Sequence, residues 1–233
     1  MTPTATAFQT PTDAAPPKLS PQQLRAEQER TLATPRRDYQ PAARALFRLM
    51  DAVYGEPPSL SKFKVLEVVA RVPYQAWENV AYIAVTHRYS RPGFARRIFG
   101  RVQESRHQQD NEQWHLLILE ELVEASGRRE SVLRYRVVPQ VLACAYYWLS
   151  WLLYTLRPAW SYSLNADFED HAEHEYAEFV RDNPGLEDQR FEGQFAAEYG
   201  RFESVADLLR QIAHDERVHK HESLARMEDP RFR

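Results

Sequence analysis

Two segments of the chain repeat one pattern, a glutamate followed three residues later by a histidine. They are Glu112 with His115 and Glu216 with His219. On an α-helix, side chains three residues apart lie on the same face, about one turn from each other. Each segment therefore directs a carboxylate and an imidazole to one side of its helix. Two such helices facing each other would bring four metal-ligating groups together.

Single glutamates in two other predicted helices complete the pattern. Glu67 lies within an apolar run, and Glu169 precedes the second Glu-x-x-His segment. Burying a carboxylate among apolar side chains is costly unless it is paired or binds a metal. The alternative for Glu67 is pairing with Lys62, Lys64 or Arg71. The order Glu, Glu-x-x-His, Glu, Glu-x-x-His supplies the ligand set of a di-iron carboxylate four-helix bundle, so we predict such a metal site.

The composition indicates an all-α protein whose metal ligands are oxygen and nitrogen. A chain of 233 residues is long enough for one domain with a sizeable core, and glycine is scarce, at 7 residues. The single cysteine, Cys144, excludes an intramolecular disulfide and any cysteine-based zinc or iron–sulfur site. The net charge of −3 argues against nucleic-acid binding. Carboxylates and imidazoles suit non-haem iron or manganese.

Hydrophobic spacing predicts the helices that position these residues. Residues 1–36 are rich in Thr, Pro, Ala and Gln, and we predict a disordered leader there, followed by one domain at 37–233. Residues 41–54 have the spacing of a short amphipathic helix, whose apolar stripe suits either packing or a membrane surface. The longer helices are predicted at about 61–88 (kinked at Pro73), 94–125, 131–156, 162–181 and 204–227.

The apolar stretch 137–156 raises the question of a membrane. Its 20 residues are enough to span a bilayer. However, it carries several Tyr and Trp residues, which are typical of membrane interfaces. A single crossing would also place the two Glu-x-x-His segments on opposite sides of the bilayer, where they could not meet. We therefore predict a helix that lies in one leaflet, half against the core and half facing lipid. The alternative is a fully buried core helix.

Five segments resemble the alternative oxidase family, and within it the plastid terminal oxidase branch. The first two are Leu-Glu-Val-Val-Ala-Arg-Val-Pro-Tyr at 66–74 and Asn-Glu-Gln-Trp-His-Leu-Leu at 111–117. Tyr-Tyr-Trp at 146–148 and Glu-Asp-His-Ala at 169–172 follow, and Asp-Glu-Arg-Val-His at 215–219 is the last. They occur in the family's order, and the resemblance extends over about residues 60–225.

The resemblance implies a ferritin-like four-helix bundle with added membrane-surface helices. It also implies a monotopic membrane enzyme, usually dimeric, that oxidises quinol and reduces O₂ to water without pumping protons. Its two irons would be bound by Glu67, Glu112, His115, Glu169, Glu216 and His219. By the same resemblance, Tyr176 is the catalytic tyrosine near the metals, and Asn111 and Asp215 support the ligands.

Two departures from the family bear on source and substrate. The connection between Glu169 and Glu216 is shorter than in plant plastid enzymes, which indicates a bacterial, cyanobacterial origin and a thylakoid or cytoplasmic membrane. Arg217 and Val218 replace the residues more usual in the last motif. The segment 71–74 favours plastoquinol, with ubiquinol left open. Two other functions stay open: another di-iron enzyme, such as a quinone-precursor monooxygenase or a ferroxidase, and a metal-free helical protein of membrane surfaces.

Overall fold

The computed structural model describes residues 18–230, in which every regular element is helical. This confirms the predicted all-α class. Eight α-helices occur in this part of the chain, with a π-helical turn at Leu133–Val137 and a 3₁₀ turn at Pro184–Glu187. The α-helices are α1 Pro21–Ala33, α2 Pro41–Tyr54, α3 Leu60–Ala70, α4 Val72–Arg88, α5 Pro92–Ala125, α6 Val138–Leu156, α7 Pro158–Asp182 and α8 Val205–Glu228.

Helices α3, α5, α7 and α8 form the central bundle. The most extensive packing is that of α7 along α8, and α3 packs along α5. The side chains of Ser59 and Ser204 cap α3 and α8, since each accepts a hydrogen bond from a backbone N–H in the first turn. These caps fix where the two helices begin. The faces that carry the predicted ligands then meet along the middle of the bundle.

The long helix predicted at 61–88 is two helices separated at Arg71. The cause is Pro73, whose ring clashes with the preceding turn and which has no N–H to donate. It occupies the first turn of α4, where a missing donor costs least. Where a kink was predicted at Pro73, the structure therefore has a complete break between two helices at Arg71. It lets α4 start in a new direction while keeping Tyr74 fully buried beside the bundle.

The N-terminal segment corrects the prediction of a disordered leader up to residue 36. Helix α1 begins after Ser20, whose hydroxyl accepts a hydrogen bond from the backbone N–H of Gln23, and the Gln23 side chain accepts one from the Ser20 N–H. This reciprocal pair stabilises the helix start. The part of the prediction that concerns residues 1–17 lies outside the described residues.

Polar contacts hold α1 and the segment after it on α7 and α8. Thr31 donates a hydrogen bond of 2.6 Å to the buried carboxylate of Glu173. The guanidinium of Arg36 lies 3.0 Å from Glu175 and 2.9 Å from Glu178. The polar residues of this segment thus bind the acidic surface of α7. Composition alone favoured disorder because it does not reveal such a partner.

The two helices with possible membrane roles differ in burial. The apolar stripe of α2 packs into the core through Ala43, Phe47 and Met50, as the packing interpretation predicts, while Leu49 of the same helix is exposed. Helix α6 buries Tyr146 and Tyr154 but leaves most of its apolar surface uncovered, so the fully buried alternative is wrong. Among the described residues, one helix, Leu133–Leu156, is long and apolar enough to cross a membrane.

Candidate metal centre

The six predicted ligands come from all four helices of the bundle and meet at its centre. Each is at most 4 % exposed. Their ligand atoms form two overlapping groups of four, and within each group the atoms lie within 4.8 Å of one another. Two glutamates belong to both groups, while each group has one further glutamate and one histidine of its own. The groups are Glu67, Glu112, His115, Glu216 and Glu112, Glu169, Glu216, His219.

The hydrogen bonding of these residues indicates what they could hold. Among the described residues, both oxygens of Glu112 and of Glu216 are buried and make no hydrogen bond of normal geometry. Nδ1 of His219 lies 2.6 Å from Oε1 of Glu112, and Nδ1 of His115 lies 3.0 Å from Oε1 of Glu216, so in each pair a lone-pair nitrogen faces a carboxylate oxygen as two ligands of one cation do. One oxygen each of Glu67 and Glu169 is also buried and makes no hydrogen bond, and the same is true of Nδ1 in His115 and His219. Leaving a buried polar atom unpaired costs about 1–3 kcal/mol. Two adjacent cations would satisfy all eight atoms, since Glu112 and Glu216 belong to both groups, so the residues fit a two-metal centre.

The second oxygen of each unshared glutamate is bound by a tyrosine. Tyr176 is fully buried and donates a short hydrogen bond to Oε1 of Glu67. Tyr74 is also fully buried and donates a hydrogen bond of 2.6 Å to Oε1 of Glu169. In both carboxylates Oε2 is the unpaired atom. Each of the two carboxylates therefore has one oxygen for a metal and one for a phenol.

The ring of His115 is held from behind by Asp215. Nε2 lies 3.4 Å from Oδ2 of Asp215 and 3.2 Å from the hydroxyl of Tyr199. Tyr199 in turn donates to the same carboxylate oxygen at 2.7 Å, and Asn111 donates to it at 3.4 Å. A carboxylate behind a ligating histidine fixes the ring orientation and raises its basicity. The structure thus brings the two predicted supporting residues to the rear of one histidine.

The N-terminal segment joins the same network. Nζ of Lys18 lies 3.3 Å from Oδ2 of Asp215, and the backbone N–H of Leu19 donates to the side chain of Gln211 at 3.0 Å. Gln211 donates to the other Asp215 oxygen at 2.8 Å. The Lys18 ammonium is the cationic partner of this buried carboxylate. For the second histidine, His219, no comparable carboxylate behind the ring is found among the described residues.

Burial and mutual proximity shift the ionisation of the cluster. Burial and the nearby carboxylate of Glu112 raise the pKa of Glu67 to about 8, against the opposing effect of His115. Burial and three neighbouring carboxylates raise the pKa of Glu216. Burial alone would raise the pKa of Glu112 as well, but the two histidines beside it hold that pKa below its usual range. The metal-free cluster therefore binds protons at positions that cations would take.

Several residues of the site were not assigned a role from the sequence. Tyr74 stands in a family segment but belongs to a helix different from that of Glu67, and only the break at Arg71 places it beside Glu169. Asn165, one turn before Glu169 on α7, donates to the same oxygen at 3.0 Å, and its i, i+4 spacing is a signal that the sequence does contain. Tyr199 lies in the connection before α8, where no periodic pattern points to it.

Comparison with known proteins places these observations in a family. Residues 40–225 match the family described as alternative oxidase. The protein named ubiquinol oxidase 4, chloroplastic/chromoplastic, from Arabidopsis thaliana is 32% identical over 138 residues. That alignment covers 59% of this chain and 36% of the relative, so the chain matches about a third of the relative's length.

Proposed function

Because the chain belongs to the alternative oxidase family, we propose that it is a membrane-bound quinol oxidase that reduces O₂ to water at two non-haem irons. The observation that carries the proposal is the pair of overlapping ligand groups that share Glu112 and Glu216. Two metals bridged by carboxylates suit reactions that need both ions at once. The irons, when bound, would bind O₂ and store two electrons.

The residues around the irons have separate tasks. Glu67 with His115, and Glu169 with His219, would each hold one ion, and the two shared glutamates would hold both. Asp215 orients His115 through its Nε2. Tyr176 holds a phenolic proton against Glu67, where it can leave together with an electron. Each quinol supplies two electrons and two protons and O₂ consumes four of each, so two quinols are oxidised per O₂.

A cavity of about 160 Å³ suits the entry of an apolar quinol. It lies between α2, α6 and α7 and is lined mainly by apolar side chains, among them Leu46, Leu142 and Leu149. Its wall includes Tyr146, whose ring stacks on Phe168, the neighbour of Glu169. Leu142→Trp should raise the KM for a soluble plastoquinol analogue several-fold and leave iron content unchanged. An unaltered KM would place the entrance elsewhere.

The uncovered face of α6 supports attachment to one leaflet. Its exposed side chains include Trp148, which is 61% exposed, with Val141 and Leu152 beside it. Burying such a face in lipid removes apolar area from water. Detergent should be required for extraction, and tags at the two ends should be protected from protease on the same side of the membrane. Cleavage of the two tags from opposite sides would mean that α6 crosses.

The remaining assignments follow from the family. We propose plastoquinol as the substrate, with ubiquinol as the alternative, and a thylakoid or cytoplasmic membrane of a cyanobacterium as the location. Comparing kcat/KM for soluble analogues of the two quinols decides the first point. We propose a homodimer, for which light scattering in detergent should give twice the chain mass after subtraction of the detergent.

The test of the whole proposal combines metal analysis with stoichiometry. The purified chain should hold two irons per monomer and consume two quinols per O₂. A monooxygenase would place an oxygen atom in an organic product, which ¹⁸O₂ labelling detects. A ferroxidase would consume O₂ with Fe²⁺ and without quinol. A chain without bound iron would be a metal-free helical protein, and the proposal would fail.

A further inference from the structure

The structure gives Tyr74 the same relation to its carboxylate that Tyr176 has to its own. Tyr74 donates to Oε1 of Glu169 at 2.6 Å, and the unpaired Oε2 remains for a metal. Asn165 fixes the phenol by donating to its oxygen at 3.0 Å. The ring also lies edge-on to His219, with centroids 5.7 Å apart. Tyr74 therefore touches both residues that belong to the second ligand group alone.

The aromatic rings that contact the two phenols differ in how readily they can be oxidised. Tyr176 is stacked on Phe63, at 4.1 Å between centroids, and a phenylalanine ring is difficult to oxidise. Tyr74 contacts Trp77 edge to face at 5.2 Å, and the Trp77 ring is 4.6 Å from that of Tyr162. Indole and phenol side chains are the most readily oxidised aromatic groups in proteins. Contact with oxidisable rings is a property that a purely structural hydrogen-bond donor does not require.

We propose that Tyr74 is a second redox-active tyrosine of the centre, which donates one electron and one proton beside Glu169 and His219. This inference rests on the proposed oxidase function and deepens it. Reducing one O₂ to two waters takes four electrons and four protons. The two ferrous irons give two electrons and each tyrosine gives one, so the four electrons are present in the protein before a quinol reacts.

The atoms balance as well. The phenolic O–H bond of Tyr74 breaks: its electron passes to the oxygen being reduced, and its proton passes along the hydrogen bond to Oε1 of Glu169 and from that carboxylate to the same oxygen. Tyr176 does the same with Oε1 of Glu67. The other two protons come from solvent. Two quinols then return four electrons and four protons: each phenoxyl regains an electron and a proton, and each ferric iron regains an electron. The two protons left over return to solvent.

The test follows radicals in a single turnover. The full chain is loaded with iron, reduced, freed of quinol, mixed with O₂ and frozen within milliseconds, and organic radicals are counted by electron paramagnetic resonance. Tyr176→Phe should keep about half of the wild-type signal. That signal should narrow when tyrosine deuterated at Cβ is incorporated, which separates tyrosyl from tryptophanyl radicals. Tyr74→Phe should keep the other half, and the double variant almost none.

The matched control is Tyr54→Phe, which removes a buried hydroxyl that donates to the backbone oxygen of Arg134 at 2.8 Å, away from the ligands. It should give the wild-type signal. The inference is overturned if Tyr176→Phe, with Tyr74 intact, shows no tyrosyl signal, or if Tyr74→Phe keeps the full signal with two irons bound. Wild-type protein that fails to oxidise two quinols per O₂ would overturn the proposed function itself. An active wild type with either of the first two results overturns only the role of Tyr74.

Discussion

Helix α7 carries two buried acidic clusters at adjacent positions, and we propose a metal centre at only one of them. Glu169 belongs to the ligand groups described above. The next residue, Asp170, forms a second cluster with Glu173 and His174, whose possible ligand atoms also lie within 4.8 Å of one another. By residue type, distance and burial the two clusters look alike. The difference lies in their hydrogen bonds.

Every member of the second cluster has a partner within the protein. Lys220 donates to Oδ1 of Asp170 at 3.0 Å and also bonds to Glu173. The two ring nitrogens of His174 contact backbone oxygens, one of them that of Thr34 at 3.0 Å. The ammonium of Lys220 thus occupies the place that a cation would take. Buried acids alone therefore do not indicate a metal site, whereas a cluster of buried acids and histidines whose polar atoms lack partners is what a metal site requires.

The largest expected difference between the clusters is in metal content. Glu216→Ala removes a ligand that both positions share, so both irons and all oxidase activity should be lost. His219→Ala should likewise remove most of the metal. Iron per chain, measured by mass spectrometry of the purified protein, checks this. The matched control is Glu173→Ala in the other cluster, which should keep two irons. Full iron occupancy in Glu216→Ala would remove α8 from the site.

Tyr176→Phe tests whether the metal cluster carries out chemistry through its phenol. Loss of a hydrogen bond alone costs about 0.5–1.5 kcal/mol, or roughly a factor of ten in rate at most. If Tyr176 donates an electron and a proton, quinol-dependent O₂ uptake per bound iron should fall far more, while both irons stay. Turnover above about a tenth of the wild type would reduce Tyr176 to a packing residue.

Lys220→Met should affect the second cluster and leave the first intact. It removes the cation that Asp170 and Glu173 share, leaving only Arg217, at 3.9 Å, beside Glu173. Breaking a buried ion pair typically costs about 3–5 kcal/mol in stability. Thermal unfolding of the iron-loaded chain should therefore shift to lower temperature, with iron content unchanged at two per chain. If the variant lost iron as well as thermal stability, the metal cluster would depend on the second cluster for its structure.

The smallest predicted effect is a difference in pH response. Because the pKa of Glu67 is raised to about 8, protons compete with Fe²⁺ in the metal-free chain below that pH. Binding should weaken as the pH falls from about 8.5 to 6.5, by up to roughly tenfold per unit for each proton displaced. Burial opposes ionisation of Asp170, but its bonds to Arg37 and Lys220 lower its pKa, so Asp170 stays ionised over this range. Affinity that does not change with pH would contradict the protonated state of Glu67.

The sequence predicted which six side chains meet at the centre of the bundle, because their spacing is local. The pairing of Glu112 with His115 depends only on helix periodicity, and the apolar run around Glu67 marked that carboxylate as unusual. What it could not predict depends on distant partners. Thr31 and Glu173 are 142 positions apart, and the polar composition around Thr31 indicated disorder because nothing local shows the acidic surface that it binds. Tyr74 was visible in a motif, but its partner Glu169 is 95 positions away.

The contact between Lys18 and Asp215 has a consequence for how the protein is made. The two residues are 197 positions apart, so the first described residue leaves the ribosome long before its partner exists. Contacts this distant in sequence slow folding, because a long loop must close before they form. Glu216 belongs to both groups of possible ligand atoms and lies in α8, the last helix of the described residues. A two-metal centre built from both groups could therefore be completed only after translation of α8, and until then the uncovered face of α6 and the unfinished bundle are exposed to aggregation.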